Sequence, residues 1–289
     1  MSDTSTMRIT ALAQWFGGNR GLAHTVGAAL GKLRWCGVPF AGGCAELPHI
    51  QTAAGVANDL HRHIINLARV VRDDELVEQL VHRLEGALFH QDELAGAQRR
   101  CREREQRGGN GDAADVVWAR DYFLACWMGR GGHAGKRSEF NQTLSARWTA
   151  SGGDSAVRFR SAVESLRAWH DALKRWSFLC LDAFEFLGHV HDKPGVGLYV
   201  DAPWPDAGED YQHRFPAYDH MQLADVLSRF REIRIAIRFG DHPLIRELYT
   251  EPQWTWLRQT GRNQQNNETA EVLIVNGKCD VRDLQADLF

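Results

Sequence analysis

The sequence predicts an α/β fold in which a Rossmann-like, parallel sheet is interrupted by a mostly helical insert. Short apolar strand segments alternate with helical segments in the first 60 residues, and the same alternation returns after about residue 175. Between these two parts the apolar residues follow helical spacing, and glycine-rich loops separate the helical segments. We therefore expect the two outer parts to form one sheet and the middle part to form a subdomain.

The first elements are a helix over residues 22–33, a strand over 33–40 and a second strand over 53–58. The stretch P-F-A-G-G-C-A-E follows the first strand, and its glycines predict a turn that a ligand can approach closely. An ordinary tight turn is the alternative, because the stretch lacks both the full dinucleotide-binding glycine pattern and the lysine of a phosphate-binding loop.

Acidic residues stand at the ends of three predicted strands, at Asp59, Asp182 and Asp201. A doubly wound fold places such an acid against the hydroxyl groups of a ribose, because a carboxylate accepts hydrogen bonds from both. For Asp59 and Asp182 the alternative is a helix N-cap, a role in which aspartate is common. Asp201 differs from both because a stiff turn, A-P-W-P, follows it.

The middle of the chain is locally positive. Residues 95–150 hold ten Lys or Arg and six Asp or Glu, a net charge of +4, whereas the whole chain has a formal net charge of −3. Glycine-rich loops interrupt this segment twice. The pattern indicates an anion-facing subdomain, and the alternative is a solvated helix face with loops.

A helix is predicted over residues 161–176, after which the strand pattern returns. The strand segments are F-L-C-L-D-A, G-L-Y-V-D-A-P-W, I-R-I-A-I-R-F and E-V-L-I-V-N, with a helix over 221–230 between the second and the third. We expect these strands to join those of the first 60 residues in one parallel layer.

Length and composition exclude several classes of protein. The 289 residues fit one large domain or a domain with an insertion, and no run of 18 apolar residues predicts a membrane span. The N-terminal segment has no apolar region of the kind found in secretory signals. Six cysteines without a C-x-x-C pair predict free thiols in a reducing compartment, with a zinc site as the alternative. We expect a cytoplasmic protein that binds no metal.

A series of segments in one order resembles the motifs of the Dam-type (class alpha) S-adenosylmethionine-dependent DNA adenine-N6 methyltransferases. The segments are A-L-A-Q-W-F-G-G-N-R, P-F-A-G-G-C-A-E, N-D-L-H-R-H-I-I-N, L-D-A-F, Y-V-D-A-P-W, D-H-M-Q-L-A-D-V-L and E-V-L-I-V-N. The resemblance spans nearly the whole chain. It implies a Rossmann-like methyltransferase core over residues 1–72 and 176–289, with a helical target-recognition insert over 73–175.

The resemblance also implies S-adenosyl-L-methionine as the cofactor. In the family a glycine motif binds the methionine part of the cofactor and an N-D motif holds its ribose. The residues expected to bind the cofactor are Trp15, Gly17, Gly18, Asn19, Phe40, Gly42, Gly43, Cys44, Ala45, Asp59, Leu60, Asp182, Ala183 and Asp201. Asn19 stands where the family usually has a lysine, so we expect weaker cofactor binding rather than none.

The family's catalytic motif D-P-P-Y reads D-A-P-W in this chain, which implies Asp201, Ala202, Pro203 and Trp204 as catalytic residues. In the family the aspartate side chain and the next carbonyl accept the N–H bonds of the target amine and release its lone pair. Ala202 keeps that carbonyl, and Pro203 holds Ala202 in an extended conformation. Trp204 offers a larger stacking face than tyrosine for a base that is turned out of the duplex.

Double-stranded DNA is the partner that the resemblance implies. The residues expected to contact nucleic acid are Arg130, Lys136, Arg137, Arg147, Tyr211, His213 and Arg214. Two other functions stay open at this stage. One is methylation of another exocyclic amine, such as cytosine N4 or an RNA adenine, and the other is a nucleic-acid-binding relic that has lost its cofactor affinity through Asn19.

Overall fold

The structure is a computed structural model that describes residues 11–18, 22–108, 113–130, 132–146, 154–205, 210–262 and 268–277. Contacts between residues divide the chain into two units. The sheet unit comprises Asn19–Ala41, Glu46–His61 and Arg175–Phe289. The helical unit comprises Met1–Gly18, Gly42–Ala45 and Arg62–Lys174. The boundaries of the insert that were predicted at residues 73 and 175 stay a prediction.

The described strands of the sheet unit form one mixed sheet. They are β1 (Leu33–Val38), β2 (Thr52–Asn58), β3 (Trp176–Leu179), β4 (Val196–Val200), β5 (Arg234–Gly240), β6 (Trp254–Arg262) and β7 (Glu268–Asn276). Their order in the sheet is β3-β2-β1-β4-β5-β7-β6. In this order the first five strands, β3-β2-β1-β4-β5, are parallel to one another. β7 pairs antiparallel with both β5 and β6. The predicted Rossmann-like α/β core is confirmed.

Helices of the sheet unit alternate with these strands. They are α1 (Ala23–Leu30), α8 (Ala183–Gly188), α9 (Ala217–Ser228) and α10 (Pro243–Leu248), with a 3-10 turn at Leu47–His49. In α9 the buried residues are His220, Leu223, Ala224 and Leu227, the spacing of one helix face. This face belongs to the core that also contains the apolar residues of β4, β5 and β7. Parallel strands are buried in this way because helices cover the faces of the sheet.

The order of the strands reverses between β1 and β4. The chain proceeds outward from β1 to β2 and β3, and then returns to place β4 on the other side of β1. Ligands of open α/β sheets bind at this switch point, outside the carboxyl ends of the strands. Phe40 lies just beyond the end of β1, and Asp201 directly follows β4.

The helical unit contains α2 (Arg62–Arg72), α3 (Asp74–Glu85), α4 (Gln91–Gln106), α5 (Val116–Met128), α6 (Ser155–Glu164) and α7 (Leu166–Leu173). α5 is its central helix, because it packs against α2, α3, α4 and α6 and is buried on almost every side. Its one buried carboxylate, Asp121, accepts two hydrogen bonds from Arg100 on α4, at 2.7 and 2.8 Å. The ion pair removes the penalty of an unpaired buried charge.

Three features of the fold differ from the sequence prediction. The helix predicted over 161–176 is two helices, α6 and α7, and Trp176 already begins β3. Ser165 separates the two helices, and its hydroxyl donates to the carbonyl of Ala162 at 2.8 Å, a side-chain bond that competes with helix continuation. β6 was not predicted. β7 is antiparallel because it forms a hairpin with β6, and a hairpin reverses the chain direction.

Other expectations concern cysteines, membranes and metals. Among the described residues the cysteines are free thiols, of which Cys36, Cys44, Cys101 and Cys126 are buried. No helix in the described ranges is long and apolar enough to cross a bilayer. The described part of the chain also contains no group of three or more His, Cys, Asp or Glu residues arranged to hold a metal ion.

Candidate active site

Asp201 lies at the switch point of the sheet. The described residues donate hydrogen bonds to one of its carboxylate oxygens and not to the other. Oδ2 accepts a hydrogen bond from Arg238 Nη1 at 2.8 Å and a longer one from the Tyr199 hydroxyl at 3.3 Å. No described residue donates to Oδ1. About a fifth of the side chain is accessible to solvent. The carboxylate is therefore oriented by the protein through one oxygen, with the second available to a substrate donor.

Arg238, on β5, links Asp201 to a second carboxylate. Its Nε and Nη2 donate to Oε2 of Glu271 on β7, at 3.2 and 3.0 Å, and both side chains are almost completely buried. Burial opposes the charged form of Arg238, but Asp201, Tyr199 and Glu271 outweigh it and raise the pKa of the guanidinium. Such a fully paired arrangement is what allows a cation to remain in a protein interior.

Glu46, just before the 3-10 turn, adds a third carboxyl to this cluster. It is 8% exposed. Burial raises its pKa to about 7, the charge of Asp201 acts in the same direction, and Arg238 and a hydrogen bond with Tyr199 oppose them. The carboxyl therefore changes charge near neutral pH, beside Asp201. Sequence reasoning gave no role to Glu46, although it is the last residue of the P-F-A-G-G-C-A-E segment that follows β1.

The other residues of the D-A-P-W motif are packed rather than exposed. Ala202 is 1% exposed and belongs to the core, and Pro203 and Trp204 are partly buried. The guanidinium of Arg238 lies 5.1 Å from the centroid of the Trp204 ring. A Cβ atom on Gly240 would approach Trp204 Cε3 to 2.9 Å, so the glycine at the end of β5 makes room for the indole.

Asn58 ties together the ends of three strands. Its Nδ2 donates to the carbonyls of Pro39 and Leu181 at 3.1 and 3.0 Å, and its Oδ1 accepts from the Leu181 amide at 2.8 Å. The side chain is 1% exposed. These bonds fix the carboxyl ends of β1, β2 and β3 relative to one another. The sequence marked Asn58 only as the residue that precedes Asp59.

Asp59 and Asp182 both have capping roles. Asp59 Oδ1 accepts from the amide of His61 at 2.9 Å, and Asp182 Oδ1 accepts from the amides of Phe184 and Glu185 at the start of α8. The cap bonds engage Oδ1 of each carboxylate. Leu60 is 40% exposed, and Ala183 is buried as the first residue of α8. A role of these four residues in cofactor binding stays a prediction.

Aromatic side chains surround the same end of the sheet. The Phe40 ring lies edge-on to Phe215 at 5.5 Å, and Phe215 is parallel to Phe184 at 6.1 Å. Burial raises the pKa of the Tyr211 hydroxyl, and the charges of Asp201 and Asp59 raise it further. These two acids follow the ends of two different strands, β4 and β2.

The remaining cofactor positions lie in the helical unit, where Trp15 packs against glycines. A Cβ atom on Gly42 would lie 3.0 Å from Trp15 Nε1, and one on Gly43 would lie 2.9 Å from Trp15 Cβ. The turn also holds Gly42 at φ 47° and Cys44 at φ 61°, in the left-handed region. The glycines thus admit the indole of Trp15. Three further positions of the prediction are the partly buried Ala45 and the exposed Gly17 and Gly18.

The residues predicted to bind nucleic acid fall in two loops. Arg130 and Arg137 are exposed in the loop after α5, and Lys136 Nζ lies 3.7 Å from the centroid of the Phe16 ring. His213 and Arg214 are exposed between β4 and α9, where Tyr211 is partly buried. Two predicted site residues lie outside the described residues: Arg147, expected to contact nucleic acid, and Asn19, expected to bind the cofactor.

Asp201 and Ala202, the two residues expected to bind the target amine, stand together after the end of β4, and this role stays a prediction. Asp201 Oδ1 has no donor among the described residues, and the carbonyl of Ala202 follows it in the chain. Both groups stand at the switch point, where the sheet fold places its ligands. Arg238 and Tyr199 then fix the orientation of the carboxylate.

Comparison with protein families gives one result that covers most of the chain. The model of the D12 class N6 adenine-specific DNA methyltransferase family matches residues 34–262. The matched range runs from β1 through the helical segments to β6, and it includes the glycine turn and the D-A-P-W motif. A search of curated proteins finds no match.

Proposed function

This chain belongs to the D12 class of N6 adenine-specific DNA methyltransferases, and we propose that it is of the Dam type and takes its methyl group from S-adenosylmethionine. Its activity is the methylation of adenine N6 in DNA. The observation that carries the assignment of the site is the carboxylate of Asp201, oriented through Oδ2 at the switch point of the sheet.

The residues at the strand ends fit the proposed cofactor. S-adenosylmethionine, when bound, supplies a methyl group on a positively charged sulfur. Asp59 ends β2 next to the switch point, where an acid suits the hydroxyls of a ribose. Asp59 and Asp201 both act on the hydroxyl of Tyr211, which supports a single site for the two acids. Asn58 holds the strand end that carries Asp59 to the ends of β1 and β3.

Asp201 and Ala202 activate the target amine in this proposal. The lone pair of adenine N6 is delocalised into the ring, so the amine is a poor nucleophile. Oδ1 of Asp201 and the carbonyl of Ala202 each accept one N–H bond and draw the nitrogen towards tetrahedral geometry, which localises the lone pair. Pro203 keeps the Ala202 carbonyl in place. The contribution of these residues is positioning and electrostatic stabilisation.

Trp204 receives the base in this proposal. A target adenine must leave the duplex to reach Asp201, and an aromatic ring then replaces the stacking that the base has lost. Arg238 and Gly240 lie against the indole on the β5 side, which supports stacking of the base elsewhere on the ring. The substitution of tryptophan for the usual tyrosine therefore retains the function of the motif.

We assign DNA backbone contacts to Arg130, Lys136, Arg137 and Arg147, with Tyr211, His213 and Arg214 near the base. The exposure of Arg130 and Arg137 in one glycine-bounded loop supports this assignment. Residues 73–175 act as the target-recognition insert. We place the enzyme in the cytoplasm, because its substrate is DNA.

The test is transfer of a labelled methyl group to unmethylated DNA, followed by separation of the nucleosides. We expect label in N6-methyladenine and none in N4-methylcytosine. Asp201→Ala should lower the rate by about 100-fold or more, because it removes an acceptor of the reacting amine. Calorimetry with S-adenosylmethionine should show that this variant still binds the cofactor.

The matched control is Asp225→Ala, which removes an exposed carboxylate on α9 and should leave transfer unchanged. Unaltered turnover in Asp201→Ala would contradict the assignment of the site. Absence of S-adenosylmethionine binding to the wild-type protein would contradict the proposed cofactor.

A further inference from the structure

We propose that Arg238 is a positioning residue that sets both working groups of the D-A-P-W motif, the Asp201 carboxylate and the Trp204 ring. The proposal rests on the proposed function and adds to it a residue outside the catalytic motif. Arg238 reaches the two groups from β5, the neighbour of β4 in the sheet. Three independent contacts carry the proposal.

The first contact fixes the orientation of the acceptor. Arg238 Nη1 donates to Asp201 Oδ2 at 2.8 Å, so the carboxylate cannot turn freely about its Cβ–Cγ bond. Because Oδ2 is engaged, the oxygen that remains for the target amine is Oδ1. The guanidinium also balances the charge of a carboxylate that must remain a hydrogen-bond acceptor throughout the reaction.

The second contact supports the stacking ring. The guanidinium carbon of Arg238 lies 5.1 Å from the centroid of Trp204, close enough for a cation–π interaction. Arg238 and Gly240 are two residues apart on one strand, so they lie on the same face of β5. Together they form a support for the indole, in which Gly240 supplies the space and Arg238 the charge.

The third contact holds Arg238 itself in place. Nε and Nη2 donate to one oxygen of Glu271, and the arginine and glutamate are 1% and 4% exposed. A guanidinium presents its donors in a rigid planar fork, so fixing two nitrogens fixes the direction of the third. Glu271 thereby determines where Nη1 points, and Nη1 determines where the Asp201 carboxylate lies.

The test separates this role from a general contribution to stability. Arg238→Met alone would take two hydrogen-bond donors from the buried carboxylate of Glu271, so it is combined with Glu271→Gln. Arg238→Lys keeps the charge but loses the fork. Three quantities are measured for each variant: the single-turnover rate of methyl transfer, the dissociation constant of S-adenosylmethionine by calorimetry, and the urea midpoint of unfolding.

A matched control lies on the same strand. Arg234 is partly buried on β5 and donates to the backbone carbonyls of Ala29 and Asn276 at 2.9 and 3.1 Å, at the opposite end from Asp201. Arg234→Met removes a comparable set of hydrogen bonds without contacting the D-A-P-W motif. It should lower the unfolding midpoint and retain the single-turnover rate.

We expect Arg238→Met with Glu271→Gln to lower the single-turnover rate about 100-fold, with cofactor affinity within threefold of wild type. Arg238→Lys should recover about tenfold of that loss. The proposal is overturned if the double variant transfers at the wild-type rate, or if its loss of rate follows a loss of cofactor affinity. Should the double variant fail to fold, Arg238→Lys decides: a slower rate at unchanged affinity supports the proposal, and a wild-type rate overturns it.

The outcome also distinguishes the proposal from the function on which it rests. If the wild-type protein transfers no methyl group to DNA, the proposed function fails before any variant is compared. If the wild type is active, the proposed function stands, and the rates of the Arg238 variants test the positioning role alone.

Discussion

The Asp201 carboxylate interacts with residues that lie on three segments of the chain. Arg238 on β5 and Tyr199 on β4 bond to the same oxygen, and Glu46 adds a titratable carboxyl beside them. Three carboxyl groups, those of Glu46, Asp201 and Glu271, thus surround one guanidinium. At the scale of the residue, the orientation of the Asp201 carboxylate depends on how this one guanidinium is shared between Asp201 and Glu271.

Glu46→Gln should change how stability depends on pH. The pKa of Glu46 is about 7 in the folded protein and 4.5 in the unfolded chain, so protonation favours the folded state. The stabilising contribution is complete below about pH 4.5 and is lost as the pH rises towards 7. Between pH 4.5 and 8 the wild type should therefore lose about 3 kcal/mol of stability that Glu46→Gln does not lose.

Urea unfolding of both proteins at several pH values in this range measures the difference. The contributions of titratable groups that do not interact with Glu46 cancel when the two curves are subtracted. Parallel curves would show that Glu46 does not titrate in this window.

At the scale of the element, two asparagines connect strands at opposite ends of the sheet. Asn58 joins the carboxyl ends of β1, β2 and β3 through three hydrogen bonds. Asn276, at the end of β7, accepts from the Ile235 amide and donates to the Ile233 carbonyl, both at 2.8 Å, where β5 begins. Because the ligand end of a parallel sheet is the carboxyl end, only Asn58 is expected to affect the site.

Asn58→Ala should destabilise the protein by about 3 kcal/mol and also weaken S-adenosylmethionine binding. The change removes the side-chain partner of the partly buried amide and carbonyl of Leu181 and of the buried carbonyl of Pro39. Asn276→Ala is the matched control, since it should cost stability without changing the affinity for the cofactor. Unfolding and calorimetry on both variants check the prediction, which fails if the two variants bind the cofactor equally well.

At the scale of the whole molecule, the chain combines a sheet unit that carries Asp201 with a helical unit that carries an exposed basic loop. The net charge of −3 gives no overall attraction to DNA, so attraction must come from local groups. Within the described residues, Arg130 and Arg137 are the exposed arginines of the loop that follows α5.

Arg130→Ala with Arg137→Ala should weaken DNA binding through the electrostatic contribution. The slope of log affinity against log salt concentration is negative, and loss of two phosphate contacts should make it shallower by about 2. Arg99→Ala with Arg107→Ala is the control, because these arginines are exposed on the same unit but pair with Glu103. Fluorescence anisotropy with labelled duplex DNA at several salt concentrations gives both slopes. Equal slopes in the two double variants would contradict the prediction.

Local patterns were enough to predict the α/β core, the position of its strand-end acids and the helical middle of the chain. Apolar periodicity depends on neighbours within a few residues, and turn residues such as Gly42 and Pro203 mark where elements end. Where local signals compete, the prediction was wrong, as in the helix that Ser165 divides in two. The roles given to individual site residues stay predictions.

The sequence by itself determined the alternation of strands and helices on both sides of a helical middle, and the presence of an aspartate, a proline and a tryptophan in one motif. Only the tertiary structure decided which charges surround that aspartate. Glu46, Arg238 and Glu271 lie in segments that are far apart in the chain, and the sheet order brings them together. Hydrogen bonds and charges act over a few ångströms of space, so their partners depend on strand neighbours rather than on sequence neighbours.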